Sequence, residues 1–326
     1  MPRAVILRGH GPPEALELVE LARPLLVAGE LRVRMLAAGV NRTDVEIRSG
    51  NWPIQKHHPF PYVPGIEVVG EVIEVGHQVA TIRTGDRVIA MMMGLGGVRA
   101  ERAGGYQDEV VLRAADCSLL PVDIDPLAAI AAIGVAGVTA LHGFDFVGTG
   151  PDRRVLVTGA GGGVGSCAIR IGRALSTDMV ALTRDVGKAR TLGALGAGEV
   201  VVAPATGGRP DLPKVTGVLD TVGGPLFAAL VDALSPGGKL CFLGGTAGDA
   251  VAFSAWSLMD GIVLGGWSSE SLDGAALRSA IGRLTSLMRR GTLEPPPVTR
   301  FPLAAVAEAH RAMERSEHVG RVLLTP

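Results

Sequence analysis

The chain has 326 residues, which is enough for two domains that each bury a core. Its formal net charge is −1, and this excludes the basic field that nucleic acid or an anionic membrane surface would require. Three scattered cysteines, Cys117, Cys167 and Cys241, argue against a disulfide framework and favour a reducing, cytoplasmic location.

No segment is typical of a membrane protein or of a secretory leader. The most apolar stretch, residues 127–141, is interrupted by Gly134, Gly137 and Thr139 and is shorter than the roughly 20 residues that span a bilayer. We therefore expect a buried helix there and no membrane partner. The apolar run near the N-terminus is too short for a signal peptide.

The first part of the chain, up to about residue 122, is predicted to be rich in strands. Short β-branched runs are separated by Gly, Pro and Asp, which are turn residues. A connecting segment at residues 43–49 is compatible with one or two helical turns. The predicted strands are residues 5–7, 31–36, 68–75, 87–90 and 106–112.

From residue 126 onwards the pattern changes to alternating helices and strands, which predicts an α/β domain with a doubly wound parallel sheet. The predicted helices are residues 127–142, 166–175, 186–195 and 226–234, and the strands are 155–158, 179–182, 200–202, 218–220 and 239–243. A helix at 274–290, a turn at 295–297, a helix at 303–314 and a strand at 321–325 complete the chain.

The strand at 155–158 leads into a glycine-rich turn that is followed at once by a helix. Ala160, Gly162 and Gly165 have the A-x-G-x-x-G spacing of a dinucleotide fingerprint. Small residues allow the backbone to approach a pyrophosphate, whose charge is then bound by free N–H groups at the helix start. The turn residues predicted to bind the cofactor are Gly159, Gly161, Gly162, Gly163, Val164 and Gly165.

The residues after the predicted strand at 179–182, the second strand of the α/β domain, indicate which dinucleotide is bound. An NAD site has an acidic residue there, whereas this chain has Thr183, followed by Arg184 and Lys188. A hydroxyl group with two nearby cations would attract a 2′-phosphate, so the sequence favours NADPH. Two alternatives remain: a shift of register could bring Asp185 to the ribose, or the two cations are ordinary solvated residues.

Several segments, in this order and spacing, resemble the medium-chain dehydrogenase/reductase superfamily, specifically its zinc-free quinone oxidoreductase (zeta-crystallin-like) branch. The resemblance implies a GroES-like domain over residues 1–122, a Rossmann domain over 123–265 and a C-terminal return to the first domain over 266–326. It also implies a homodimer joined through edge strands near residues 262–267. The segments are 38–44, 47–50, 64–70, 85–88, 104–106, 138–140, the glycine turn and 320–323.

The resemblance also identifies positions where zinc-dependent members carry ligands. These members have a Cys where Val40 or Asn41 stands and a His where Ile66 stands, and residues 91–105 contain no cysteine. The pair His57-His58 is interpreted as an exposed loop, and no metal site is predicted. Without a Lewis acid, hydride transfer to an electron-poor acceptor is the easier reaction, with hydrogen bonds stabilising the resulting oxyanion.

Three residues are predicted to act at the substrate. Asn41 matches the family's active-site Asn and would donate to the acceptor oxygen, although it could equally cap the helix at 43–49. Glu46 replaces a family Tyr; it would be a proton donor if burial raised its pKa, or it faces water and has no role. Trp52 is predicted to form a wall of the substrate pocket.

Further cofactor contacts are predicted from position and from the resemblance. Thr139 is expected to contact the nicotinamide carboxamide, and Val222 to contribute backbone contacts. Trp267 would cover the nicotinamide or pack at the dimer interface. Gly244, Gly245 and Thr246 follow a strand at the carboxyl edge of the sheet, where ligands bind.

Together these features predict an NADPH-dependent reductase of a small quinone or α,β-unsaturated carbonyl. One alternative is an enoyl-thioester reductase of a polyketide-type pathway. Another, from a different class, is a non-catalytic NADPH-binding crystallin or RNA-binding protein. Two tyrosines, three tryptophans and a net charge of −1 give little support to RNA binding.

Overall fold

The computed structural model describes residues 1–52, 60–99, 101–204 and 208–326. These residues form two compact units. The first consists of Met1–Val135, Glu270–Thr285 and Pro297–Pro326, and the second of Ala136–Ser269 and Ser286–Pro296. The functional boundaries that the sequence suggests, at residues 122 and 265, stay predictions.

The helices and strands are numbered in chain order. The strands are β1 (Arg3–Leu7), β2 (Leu16–Glu20), β3 (Glu30–Val40), β4 (Glu67–Val75), β5 (Arg87–Met91), β6 (Glu109–Arg113), β7 (Cys117–Leu120), β8 (Arg154–Val157), β9 (Asp178–Thr183), β10 (Glu199–Val202), β11 (Val215–Asp220), β12 (Leu234–Phe242), β13 (Val263–Gly266), β14 (Val298–Pro302) and β15 (Arg321–Thr325). The α-helices are α1 (Arg42–Ser49), α2 (Pro126–Ile133), α3 (Val135–Val147), α4 (Gly163–Ala174), α5 (Ala189–Leu195), α6 (Phe227–Ala233), α7 (Gly274–Arg289) and α8 (Val306–Arg315).

The first unit is built on a sheet in which β3 is the central strand. Its described strands run in the order β14-β15-β3-β4-β5-β7, and β6 pairs with the other half of β3. Strand β15 lies antiparallel to β3, with Val322 opposite Val40. This pairing brings the C-terminal segment beside the start of α1. Strands β1 and β2 form a separate antiparallel pair.

The second unit contains a parallel sheet with the described order β10-β9-β8-β11-β12-β13. The first strand in sequence, β8, lies in the middle, the next two lie on one side of it, and the following three lie on the other. This is the doubly wound order of dinucleotide-binding domains, and its switch point lies between β8 and β11. The prediction of a GroES-like β-rich domain with a Rossmann-type parallel sheet is confirmed.

Some predicted elements differ from the observed ones. Strands β2, β7 and β14 were not expected; β2 is largely exposed and so lacks an alternating apolar pattern. The predicted helix at 127–142 was wrong as a single helix. It divides at Gly134 into α2 and α3, because Gly134 has non-helical dihedral angles at the end of α2. Helix α4 begins at Gly163, three residues earlier than predicted, because the glycine turn passes directly into it.

One helical stretch among the described residues, Pro126–Val147, has the length and apolar character of a membrane span. Over its 18 most apolar consecutive residues the mean hydropathy is 1.9, and 83% of that segment is buried inside the structure. A core helix of a globular protein has the same properties, so this stretch is weak support for a membrane span.

Candidate functional site

The glycine turn lies between the end of β8 and the start of α4. Gly159 has a φ of +56°, a conformation that side chains disfavour. A Cβ on Gly165 would lie 2.6 Å from the Ala160 Cα, so the helix packs against the turn too closely for any larger residue. Gly162 occupies the N-cap position of α4 and has no side chain with which to cap it. The first N–H groups of α4 are therefore available to a bound anion, and this geometry fits a pyrophosphate.

A buried carboxylate supports this turn from the neighbouring strand. Asp220, at the end of β11, accepts hydrogen bonds from the Thr158 hydroxyl (2.8 Å), the Val222 N–H (3.0 Å) and the Gly223 N–H (3.2 Å). The Thr221 N–H donates to the Thr158 hydroxyl oxygen at 2.8 Å. Burial raises the pKa of Asp220, while these hydrogen bonds oppose the shift. We call Thr158, Asp220, Thr221, Val222 and Gly223 the Asp220 network.

The Asp220 network joins the two strands on either side of the switch point, and sequence reasoning assigned no role to Thr158 or Asp220. Both residues lie at the carboxyl ends of adjacent parallel strands, and this position was the signal that could have identified them. Val222, which was predicted to contact the cofactor, lies in a loop that this network holds against Gly159. A Cβ on Gly159 would lie 2.5 Å from the Thr221 hydroxyl oxygen.

The loop after β12 packs against the loop after β11. The Ala247 N–H donates to the Val222 carbonyl at 2.8 Å, and the Thr246 hydroxyl to the Thr221 carbonyl at 3.4 Å. Gly245 and Thr246 are exposed and Gly244 is half-buried. The structure thus brings these predicted residues and Val222 to one edge of the sheet.

The end of β9 carries the residues predicted to choose the cofactor. Thr183 is the last residue of β9, and its buried hydroxyl accepts from the Asp185 N–H at 3.1 Å. The Asp185 carboxylate accepts from the Gly187 N–H at 2.8 Å, which makes it the cap of a short turn. Arg184 is exposed.

Lys188 lies against the glycine turn. A Cβ on Gly161 would lie 3.0 Å from the Lys188 Cδ and 3.5 Å from its Nζ. The structure therefore brings one of the two predicted cations to the phosphate-binding turn. The Asp185 carboxylate, which the sequence left as an alternative contact for the ribose, bonds instead to the Gly187 N–H of its own loop.

The remaining predicted cofactor residues lie on other elements of this unit. Thr139 is buried on α3. Trp267 is half-buried directly after β13, and its ring stacks on that of His142 with centroids 4.3 Å apart and an interplanar angle of 14°. The two interpretations of Trp267, as a nicotinamide cover or as an interface residue, both stay open.

The first unit contains a buried cluster around the predicted catalytic Asn41. Its amide nitrogen donates to Glu67 Oε1 at 2.8 Å, and its amide oxygen accepts from Arg321 Nη1 at 3.0 Å. Arg321 Nη2 also donates to Glu67 Oε1, in a very short ion pair. Glu67 is 0% exposed, Arg321 2% and Asn41 8%. We call these three residues the Arg321 cluster.

Two glycines and a helix start complete the surroundings of Glu67. Its second oxygen, Oε2, accepts from the Val135 N–H at 2.6 Å, at the beginning of α3. A Cβ on Gly39 or on Gly134 would overlap the Glu67 carboxylate. These positions therefore exclude any larger residue, which explains Gly39 in the segment that carries the family resemblance.

Asp44 links this cluster to α1. Asn41 stands at the N-cap of α1, and Asp44 Oδ2 accepts from the Asn41 backbone N–H at 2.8 Å. Asp44 Oδ1 accepts from the Ile66 N–H at 3.1 Å. Burial raises the pKa of Asp44 to about 7, and the neighbouring Glu67 carboxylate adds to the shift, against the opposing hydrogen bonds. Asn41 thus stands at the N-cap position of α1, and its side chain belongs to a buried polar cluster, while its donation to the acceptor oxygen stays a prediction.

Sequence reasoning did not assign roles to Glu67, Arg321 or Asp44. All three lie in segments that carry the resemblance, and that placement was the available signal. The pairing of Arg321 with Glu67 joins residues 254 positions apart, which no local pattern reports.

Glu46 and Trp52 lie at and just beyond α1. The Glu46 carboxylate pairs with Arg42 at 2.9 Å, one helical turn away, and its side chain is 27% exposed. The burial that would favour a proton donor is therefore incomplete. Trp52 is half-buried, its backbone N–H donates to the Glu46 carbonyl at 3.2 Å, and its indole N–H has no hydrogen-bond partner among the described residues.

The positions of the family's zinc ligands are apolar apart from Asn41. Val40 and Ile66 are both fully buried. Within the described ranges, no group of three or more His, Cys, Asp or Glu side chains is arranged to hold a metal ion. The pair His57-His58 lies outside the described residues.

Two family descriptions match the chain: "Alcohol dehydrogenase GroES-like domain" at residues 27–123 and "Zinc-binding dehydrogenase" at residues 195–324. Mouse mitochondrial enoyl-[acyl-carrier-protein] reductase is 30% identical over 340 residues, covering 99% of this chain and 88% of that protein. Polyketide synthase GfsB of Streptomyces halstedii is 31% identical over 92% of this chain, which spans only 5% of the synthase.

The chain is also similar to solved structures of oxidoreductases. A structure described as an NAD-dependent alcohol dehydrogenase has a TM-score of 0.85 at 28% identity and covers 99% of each chain. A mycobacterial quinone oxidoreductase has a TM-score of 0.83 at 26% identity over 100% of each chain. The yhdH oxidoreductase of Salmonella enterica, in complex with NADP, has a TM-score of 0.83 at 25% identity over 99% of each chain.

The matched domains, the glycine turn at the switch point and full-length relatives at 30% identity lead to one assignment. The chain belongs to the medium-chain dehydrogenase/reductase superfamily of NAD(P)-dependent oxidoreductases and fits its zinc-free quinone oxidoreductase branch, which confirms the resemblance seen in the sequence.

Proposed function

We propose that the protein is an NADPH-dependent, zinc-independent reductase that transfers hydride to a quinone or an α,β-unsaturated carbonyl. The observation that carries the cofactor choice is the end of β9, where Thr183 stands in place of an acid, Arg184 is exposed and the Asp185 carboxylate bonds to the Gly187 N–H of its own loop. A cation without a competing carboxylate at this position favours the additional phosphate of NADPH. The mycobacterial and Salmonella neighbours, one solved with NADPH and the other with NADP, support the same choice.

The residues of this chain supply binding and charge stabilisation. The bound nicotinamide supplies the hydride. Asn41 is the proposed donor to the acceptor oxygen; its amide nitrogen donates to Glu67 at 2.8 Å, and its side chain also hydrogen-bonds to Asp44. A donor held in place before the reaction stabilises the negative charge that develops on that oxygen.

Zinc independence is supported by the chemistry of the side chains. Of the three positions where zinc-dependent members carry ligands, Val40 and Ile66 are apolar and offer no ligand atoms. The third, Asn41, is hydrogen-bonded to Glu67 and Arg321. Zinc sites require Cys, His or carboxylate ligands in close spacing. Activity that persists after dialysis against a chelator, with no zinc detected by elemental analysis, is the expected result; a loss of activity that zinc restores would contradict it.

A cytoplasmic homodimer is the proposed form. Strand β13 is at the edge of the described sheet, and the segment before it exposes Trp256 (81%) and Met259 (78%). Unpaired edge strands with nearby apolar side chains favour pairing with a second copy. Light scattering of the purified protein should give twice the mass of one chain, and a monomer at micromolar concentration would contradict the proposal.

The second candidate is reduction of an enoyl thioester. It is supported by relatives named as enoyl-[acyl-carrier-protein] reductases and as a polyketide synthase. The double bond in such a substrate is conjugated to a carbonyl, as in an enone, and requires the same oxyanion stabilisation. A non-catalytic crystallin or RNA-binding role is disfavoured by the net charge of −1 and by the phosphate-binding geometry of the turn.

The deciding experiment measures NADPH oxidation with benzoquinone and phenanthrenequinone against trans-2-enoyl thioesters and simple enones. NADH is run in parallel and products are identified by mass spectrometry. Fast quinone turnover would establish a quinone reductase, and turnover restricted to enones or thioesters would establish an ene-reductase. Absence of turnover with every acceptor, despite NADPH binding, would contradict the enzymatic proposal.

The cofactor choice has its own test. Arg184→Ala should raise the Kd for NADPH about 10- to 100-fold, since a charge-assisted hydrogen bond contributes about 1.5–3 kcal/mol, and leave the Kd for NADH almost unchanged. Arg190→Ala removes another exposed cation, six residues further along the chain, and is the matched control. Equal effects on both cofactors would contradict the 2′-phosphate assignment.

A further inference from the structure

We propose that the first unit contains a ligand site of its own, a surface groove that binds a small amphipathic carboxylate. The groove has a volume of about 610 Å³. Pockets for small molecules measure about 300–1,000 Å³, so this one can hold a ligand with an apolar body of several carbon atoms. The inference goes beyond the proposed function, because the lining residues belong neither to the predicted cofactor site nor to the predicted substrate site.

The groove is formed by segments that lie far apart in the sequence. Its lining comes from residues 78–82 after β4, residues 114–119 at the start of β7, Gly29 before β3 and Arg278 on α7. Backbone hydrogen bonds join these segments: the Ala114 N–H donates to the Gly29 carbonyl at 2.9 Å, and the Gly29 N–H to the His77 carbonyl at 2.7 Å. The groove is therefore held open by the fold itself, and a ligand does not have to order it.

Much of the lining is apolar. Ile82 is 4% exposed, Val79 is half-buried, and Leu119, on the last strand of the described sheet order, is 49% exposed. Apolar surface that stays in contact with water is stabilised when an apolar group covers it. This part of the groove fits the hydrocarbon body of a ligand.

One cation marks the charge of the ligand. Arg278 is the only charged residue among the described residues that line the groove. Its Nη1 donates to the Ala115 carbonyl at 2.8 Å, which fixes the guanidinium at the groove, and it forms no ion pair with a carboxylate of the described chain. Its positive charge is thus uncompensated, and the fork of a guanidinium matches the two oxygens of a carboxylate.

A nearly buried hydroxyl adds a second polar contact. Ser118 lines the groove and is only 6% exposed, and no hydrogen bond joins its hydroxyl to another described residue. Buried polar groups in folded proteins nearly always have a partner, and a hydroxyl can donate to a carboxylate oxygen. A single cation with one hydroxyl suits the single negative charge of a carboxylate better than the double charge of a phosphate.

The first experiment is a calorimetric titration of the purified protein with decanoate, without cofactor or acceptor. We expect a Kd below about 1 mM. Octanoate should bind about tenfold more weakly, because it lacks two methylene groups that the apolar lining would cover. Decanol, which has the same chain but no charge, should also bind at least about tenfold more weakly.

Substitutions test the two polar contacts. Arg278→Gln should weaken decanoate binding at least about tenfold, since it removes a charge-assisted hydrogen bond, and Ser118→Ala about fivefold. Arg283→Gln is the matched control: this cation is also exposed on α7 but is not among the residues that line the groove, so binding should stay unchanged. Thermal unfolding of each variant verifies that it is folded.

Four results would overturn the inference. They are no detectable binding of decanoate up to its solubility limit, equal binding of decanol and decanoate, equal weakening in Arg278→Gln and Arg283→Gln, and displacement of decanoate by inorganic phosphate. The last would indicate a site for simple anions.

The test is independent of the proposed function, because the titration requires neither hydride transfer nor an acceptor. Saturating decanoate should also leave the Kd for NADPH within about twofold of its value without decanoate. Competition between the two would show that the carboxylate binds at the phosphate-binding turn, and it would overturn the inference without affecting the proposed reductase activity.

Discussion

The Asp220 network and the Arg321 cluster both place a carboxylate in the protein interior, but they satisfy it differently. Asp220 bonds to backbone N–H groups two and three residues away and to one hydroxyl on the next strand. Glu67 is paired with a guanidinium from the far end of the chain. The first arrangement shapes a local loop, whereas the second fastens the C-terminal strand to the centre of its sheet.

The comparison indicates how each network should respond to substitution. Neutral donors that lose an acceptor leave unpaired N–H and O–H groups, which is a moderate cost. A buried guanidinium that loses its carboxylate leaves an uncompensated charge, which is a larger one. The predictions below test this difference, from the largest expected effect to the smallest.

Removal of one partner of the ion pair should be the most damaging change. Glu67→Ala or Arg321→Met alone is expected to lower the free energy of unfolding by about 3–5 kcal/mol, because the remaining charge stays buried and unpaired. The neutral double variant Glu67→Gln/Arg321→Met should lose much less unfolding free energy, because it leaves no unpaired charge. Urea unfolding of the three variants measures this, and a double variant as unstable as the sum of the singles would contradict the explanation.

Asp44 is a second carboxylate in the same region, and it should make stability depend on pH. Its pKa is raised from 3.8 to about 7 in the folded state, so the folded protein holds this proton more tightly than the unfolded chain. The resulting stabilisation is fully present below about pH 4 and is lost as the pH rises to about 7, an effect on the order of 4 kcal/mol.

The measurement is the difference in unfolding free energy between wild type and Asp44→Asn across that range of pH. Asparagine does not titrate, so the wild type should become relatively more stable as the pH falls. A difference that is independent of pH would show that burial does not raise this pKa in solution.

Asp220→Ala should have a moderate effect. It leaves the Thr158 hydroxyl and two backbone N–H groups without their acceptor, and we expect a loss of about 2 kcal/mol in unfolding free energy. Since these groups hold the loop behind the glycine turn, the Kd for NADPH should also rise. Asp232→Ala removes a half-buried carboxylate that pairs with the exposed Arg209 in the same unit, and it should cost less than about 1 kcal/mol. Equal losses of unfolding free energy in the two variants would show that the burial of Asp220 does not increase its contribution to stability.

Glu46→Gln should have the smallest effect. Its partner Arg42 lies one helical turn away, at the surface of α1, and such pairs contribute about 0.3–0.5 kcal/mol. We expect kcat to change by less than about threefold, whereas loss of a proton donor would lower it about 100-fold or more. Steady-state kinetics at several pH values distinguish the two, and a large loss would restore Glu46 as a catalytic acid.

The parts of the site that sequence reasoning identified are those built from contiguous residues. The glycine turn, Thr183 at the end of its strand and the loop after β12 are each specified by short motifs and by the alternation of strands and helices. Lys188 was named from its proximity in sequence, and its side chain lies against the turn. The break at Gly134 was missed because helical patterns continue on both sides of it.

Asn41 illustrates the limit of such reasoning. Its position at the start of α1 and its match to the family motif were both visible in the sequence. Its partners Glu67 and Arg321 lie 26 and 280 residues away, and they meet only because β4 and β15 both pair with β3. Pairing across a sheet depends on which strands become neighbours, and local patterns carry little information about it.

The sequence by itself therefore determined the class of both domains, the place of the dinucleotide turn and the absence of the family's zinc-ligand residue types at residues 40, 41 and 66. Those properties follow from residue type and spacing, which act over a few turns of chain. Only the tertiary structure decided that Asp185 bonds to its own loop, that Asp220 supports the turn and that Arg321 reaches Asn41. Hydrogen bonds and ion pairs act over a few ångströms, so their partners are defined only after the chain has brought distant segments together.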